Sequence, residues 1–241
     1  LAARLQLHFL CTLSNVVRRK YFWAIMTSSL YRPLQDALDL VMAGLEVQMA
    51  TEHLAEREHA LGSTRFLAWA AVTAGCANGV FLALMKFLEA NGTPRARFFA
   101  NQGLWPLLSV CMTLRALEMP NVMVKVLGIA EVPSRWYPLS FAIGLSAMRG
   151  VMQWDMLASI ACGHAFWALS LEDWLVPSRR TAAKLERRWL PQLPALLCRL
   201  LGGGWVPAED PRRGFFAGGA AAEEDRWEDQ RPRRRANGGG G

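Results

Sequence analysis

The sequence predicts an all-α fold, a polytopic helical bundle in a membrane followed by a tail, and three observations predict it. The first is a 23-residue run, Phe66 to Leu88, whose one charge, Lys86, falls near its end; about 20 residues at 1.5 Å rise cross a hydrocarbon core. The second is a set of three further apolar runs, Leu104 to Leu114, Trp136 to Met148 and Met156 to Leu171. Trp105, Trp136, Trp154 and Trp174 stand at or near their ends, and Trp concentrates at membrane–water boundaries. The third is a change at Pro177, beyond which 13 of the 27 Lys and Arg residues lie beside eight acidic ones. Because 52% of the residues are apolar and 20% charged, one apolar unit (1–177) plus a tail (178–241) is expected rather than two domains.

Taken in order, residues 1–22 hold an apolar stretch, Leu5 to Val17, then Arg18-Arg19-Lys20 and the aromatics Tyr21, Phe22 and Trp23. Basic residues beside aromatics suit a segment at a membrane interface, and equally a surface helix of a soluble protein. Pro33 is expected at a helix start or kink, since it lacks a backbone donor. After it, Leu34, Leu38, Val41, Leu45 and Met49 fall at helical spacing. The opposite face carries Asp36, Asp39 and Glu46, which must point into the bundle or toward water because lipid exposure of a carboxylate is costly. His53 and His59, beside Glu52 and Glu58, read as flanking a solvated polar turn. Within Phe66–Leu88, Gly75, Ala77 and Gly79 would let another helix approach closely. The three later runs are short for a full crossing, which keeps a soluble all-helical interaction protein as a competing reading. The connectors between them carry Arg95, Arg97, Lys125, Glu131, Arg149 and Asp155.

Several chemistries find little support. Cys11, Cys76, Cys111, Cys162 and Cys198 stand far apart in no paired spacing, which gives neither a disulfide framework nor a zinc site; no cofactor is implied. The basic tail interleaves acidic residues and carries no binding motif, which argues against nucleic acid. The basic residues nearest the last apolar run, Arg179, Arg180, Lys184, Arg187 and Arg188, place this end in the cytosol by the positive-inside rule. The rest of the tail, rich in Gly, Pro and charge, is expected to be disordered.

The stretch Asp155-Met-Leu-Ala-Ser159-Ile-Ala-Cys-Gly163-His164, through Glu172-Asp173 to Pro177, resembles the last membrane helix of the derlin family. Val126-Leu-Gly128 through Trp136-Tyr137-Pro138 resembles the derlin loop into the fifth helix, and Trp23-Ala24-Ile-Met-Thr27 stands where derlins carry Trp-Arg-x-x-Thr. Arg188-Trp189-Leu190-Pro191 and the Gly-rich tail are also derlin-like; the resemblance is strong only over residues 122–177. Ala24 replaces the family's Arg, and Ser159-x-x-x-Gly163 replaces its Gly-x-x-x-Gly, with Ser still small enough for close packing.

The resemblance implies a rhomboid-like fold of six membrane helices. Matching Trp23 to its counterpart puts Leu1 in the first loop, so five of the six are expected here, with both ends cut. It further implies a non-catalytic protein of the endoplasmic reticulum membrane that helps misfolded proteins leave for degradation. Partners implied are the bilayer, misfolded substrates, an AAA ATPase, a ubiquitin-ligase complex and further copies of the chain. Derlin tails recruit the ATPase through a Phe/Gly box, and Gly214-Phe215-Phe216-Ala217-Gly218-Gly219 echoes part of one. Relatives also serve protein import into complex plastids, which leaves the compartment open. Asp36, Asp39 and Glu46 are expected to line a water-filled lateral cavity, and short helices to thin the membrane.

An active rhomboid protease would need a Ser activated by a His, plus oxyanion donors. Gly144-Leu-Ser146-Ala147 half-resembles the nucleophile motif. Counted from a turn near Val151, however, Ser146 and His164 differ in depth by roughly 9 Å. The dyad is expected to be absent, and His164 to be a buried, hydrogen-bonded structural residue.

Overall fold

The computed structural model describes residues 9–32, 37–101, 103–126, 128 and 130–189. Helix dominates: α1 (Ala24–Thr27), α2 (Ala37–Leu61), α3 (Ser63–Ala90), α4 (Trp105–Glu118), α5 (Tyr137–Arg149), α6 (Trp154–Ala168), α7 (Leu171–Leu175) and α8 (Arg179–Trp189). Two small antiparallel ribbons join them. β1 (Cys11–Thr12) pairs with β2 (Ala100–Asn101), and β3 (Met123–Val126) with β4 (Ala130–Pro133). The protein is therefore all-α in class.

The expected polar turn around His53 and His59 is instead the second half of α2. Thr51 to Ala60 contains neither Gly nor Pro and is rich in Ala, Leu, Glu and Arg, which are strong helix formers. The break comes at Gly62, whose φ of 84° is a left-handed value open to glycine. Helix α3 begins three residues before the expected run and ends two after it. Among the described residues it is the one helix long and apolar enough to cross a membrane. Helices α4, α5 and α6, at 14, 13 and 15 residues, span only about 20 Å each. The run predicted to end at Leu171 divides, with α6 stopping at Ala168 and Ser170 turning the chain at φ 49° into α7.

Helix α4 is the axis of the bundle. Eleven of its 14 residues are buried, and it packs most extensively on α6, then on α2, α3 and α5. Its two sides feed two separate cores. Leu107, Val110, Cys111 and Leu114 join Leu61, Trp69 and Phe166. Trp105, Leu108 and Met112 join Met42, Phe141, Leu145 and Met156. Trp105 is thus no boundary residue: it is 3% exposed, with its ring 5.7 Å from that of Phe141. Trp136 and Trp174 are exposed, and Trp154 is half-buried.

The outer surface also carries large apolar side chains. Leu40, Val41 and Val47 on α2, Leu67 and Phe87 on α3, and Ile143 and Met148 on α5 are each more than half exposed.

Candidate functional site: the polar interior

The most polar part of the interior lies where α2, α4 and α5 meet. Arg32 Nη1 donates to Glu46 Oε2 at 2.5 Å and lies 3.9 Å from Asp39, while Arg149 Nη2 donates to Asp39 Oδ1 at 3.2 Å. All but Arg149 are nearly sealed from solvent. Glu46 has a second role, because its carboxylate also accepts the backbone N–H groups of Leu104 and Trp105. Those are orphan donors at the start of α4, whose own N-cap residue, Leu104, supplies no side-chain cap. A carboxylate there also complements the helix dipole. Gly103 just ahead is doubly constrained: its φ is 77°, and a Cβ would stand 2.5 Å from Glu46 Oε1. The expectation that Asp39 and Glu46 line an open cavity does not hold for these carboxylates, which two arginines engage; Asp36 lies outside the described residues.

A second polar node ties the first loop to the bundle. Asn78, fully buried in mid-α3, donates to the Ile25 carbonyl at 2.6 Å and to Ser28 Oγ at 3.2 Å, and it accepts from Asn101. The Gly103 amide donates to the carbonyls of Ser28 and Tyr31 at 3.0 Å, linking this node to the ionic one. Trp23 itself is half exposed and stacks on Tyr21 at 4.8 Å. Thr27 Oγ1 donates to the Trp23 carbonyl at 3.0 Å, so the Trp-x-x-x-Thr spacing closes one helical turn. Ala24 is fully buried beside Cys11 and Val16, an apolar setting in which an arginine would lose its solvation. Burial likewise pushes the Cys11 thiol up to about 12, which makes it a poor nucleophile.

The third feature is the α4–α6 seam. Ser109 and Thr113 on α4 and Ser159 and Gly163 on α6 are all buried. A Cβ on Gly163 would fall 2.8 Å from Thr113 Cβ, so the Thr113 side chain lies directly against the Gly163 backbone, where only glycine leaves room. Ser159 Oγ donates within its own helix, to the Asp155 carbonyl at 2.7 Å. In α3, Gly75 meets the Met26 side chain at 3.0 Å and Ala77 is fully buried, but nothing lies near Gly79, so the expected close approach does not extend to Gly79.

His164 is a correction: it is exposed, not buried. Gly163 faces α4, and each further residue turns the helix by about 100°, which carries His164 round to the outside. Ser146 is occupied otherwise than a nucleophile would be. Its Oγ donates to the Ala142 carbonyl at 2.7 Å and accepts the Gln153 amide at 3.1 Å, stapling the α5–α6 turn. Phe215, Phe216, Gly218 and Gly219 lie outside the described residues, as does Cys198.

Arg32, Arg149, Asn78 and Asn101 were not foreseen. Asn78 alone left a signal, an amide in the middle of the most apolar run of the chain. What fold and interior define together is a class: a helical bundle with apolar cores, buried polar nodes between its helices, and large apolar side chains among its exposed residues. Comparison with family models, with curated proteins and with solved structures returns no match.

Proposed function

We propose that this chain is a multi-pass, rhomboid-like membrane protein of the derlin type. In this reading it lies in the endoplasmic reticulum membrane with its C-terminus in the cytosol. It has no catalytic dyad and assists misfolded proteins across the bilayer toward an AAA ATPase and a ubiquitin ligase.

The observation that supports the membrane reading is α3, 28 residues long and apolar enough to cross a bilayer. Arg32, Asp39, Glu46, Asn78 and Asn101 find partners within the bundle, as lipid requires of polar groups, and Leu, Val, Ile, Met and Phe side chains are exposed on α2, α3 and α5. The short α4, α5 and α6 suit a locally thinned bilayer, because a short span draws the membrane down to its own length. A polar substrate segment would cross such a region at lower desolvation cost. The hydroxyl of Ser146, engaged on both sides, supports a role without peptide-bond cleavage.

Carbonate and detergent extraction of the full-length protein, with protease protection of a tagged C-terminus, tests the topology. Resistance to carbonate together with a tail open to cytosolic protease is the expected result; carbonate release would replace it with a soluble interaction protein. Depleting the protein should lengthen the half-life of a misfolded luminal reporter. An unchanged reporter with impaired import of a plastid precursor would move the role to a complex plastid.

A further inference from the structure

At the C-terminal end of α3 a small cavity of about 80 Å³ opens between that helix, the π-helical turn Ser14–Arg18 and the 3-10 turn Pro94–Phe98. Leu13 and Val17 form its apolar wall, and Arg18, Lys86 and Arg97 bring three cations against one carboxylate, Glu89. Glu89 is shared, at 3.2 Å from Lys86 and 4.0 Å from Arg18. Arg97 is placed differently. Its guanidinium lies 4.7 Å from the centre of the Phe98 ring, and its Nε is buried with no hydrogen-bond partner. A buried guanidinium N–H without an acceptor is costly, and two cationic charges remain after Glu89 is counted.

We propose that this cavity binds the phosphate of an anionic phospholipid headgroup. Arg97 would supply a planar fork of donors suited to phosphate oxygens, with Arg18 and Lys86 as point charges at the rim. Two observations favour a lipid over free phosphate: Leu13 and Val17 offer an apolar path away from the cations, and Val17, Phe87 and Phe98 are each about 60% exposed around it. The site lies at the end of α3, among the described residues the one helix long and apolar enough to cross a membrane, and headgroups sit at such an end. The choice of a lipid therefore rests on the membrane reading, but the cation cluster does not.

The test is a titration of the full chain, in neutral detergent, with a soluble short-chain phosphatidic acid, read by native mass spectrometry. Inorganic phosphate is run beside it. Arg97→Gln should weaken lipid binding at least tenfold, and Glu89→Gln should tighten it several-fold by removing the competing carboxylate. The second variant keeps the test meaningful if the first fails to fold, since misfolding cannot improve binding. Unchanged affinity in Glu89→Gln, or in a folded Arg97→Gln, overturns the site. Inorganic phosphate binding as tightly as the lipid overturns the lipid assignment. A chain that resists carbonate yet shows no binding rejects the site alone; a chain that carbonate releases yet binds phosphatidic acid rejects the membrane reading alone.

Discussion

The α4–α6 seam and the cluster of Arg32, Asp39, Glu46 and Arg149 are both buried and both polar, yet they hold the bundle by different means. The seam works by absence. Gly163 contributes no side chain, Ser159 and Thr113 satisfy their hydroxyls within their own helices, and α6 closes on α4 there because the Thr113 side chain lies against the bare Gly163 backbone. The ionic cluster works by exchange, since each charge there is tolerable only because another opposes it. Helices that carry their own polar groups can slide or part at modest cost, whereas removing one member of a buried charge network strands the rest. The seam should therefore respond to volume and be indifferent to charge, and the cluster the reverse.

The largest effect should come from Glu46→Ala. It leaves Arg32 buried without its nearest acceptor and uncaps α4, a loss of about 3–5 kcal/mol of stability. Thermal unfolding in detergent should show it, and a wild-type midpoint would remove the cluster from the argument. The sharper form is the pair Arg32→Met with Glu46→Met: because the buried charge leaves as a pair, this double variant should be more stable than Glu46→Ala, and the reverse order would mean that charge balance is not what matters there. Gly163→Leu comes next, at roughly 3 kcal/mol from overpacking against Thr113, and should lower steady-state abundance in a matched expression test. Equal abundance would deny the close approach. Asn78→Leu should cost about 1–3 kcal/mol by orphaning Asn101, with protease cutting near residues 20–32 rising before global unfolding. Early cutting at the β3–β4 hairpin instead would place the weak point elsewhere. The smallest expected change is Ser146→Ala, about 1 kcal/mol, chiefly for the lost acceptor of the Gln153 amide, with no change in substrate turnover. Loss of substrate cleavage in that variant would revive the protease reading.

The helical class, the long α3 and the approximate places of α4, α5 and α6 were legible because apolar runs and helical spacing survive in one dimension. The β3–β4 hairpin was not, since its strands are four residues each and Met-Val-Lys-Val is too short a pattern to stand out. The extension of α2 through His53 and His59 is not legible in charge, which suits a solvated turn as well as a helix face; the lack of Gly and Pro there is the better guide. At the site, Gly163 was readable from its small-residue spacing. His164 was misplaced because the face a residue presents depends on where its helix docks.

By itself, the sequence determined where the chain is apolar, how long each run is, and where glycine and proline must interrupt it. Those are local properties, fixed by side-chain chemistry and backbone sterics. Only the tertiary structure decided that Glu46 would cap a helix 58 residues further along, that Asn78 would hold the first loop, and that Arg149 would reach back to Asp39. Each is a pairing of groups distant in the chain. A buried polar group must find some partner, but which partner is settled by the packing that brings the two together.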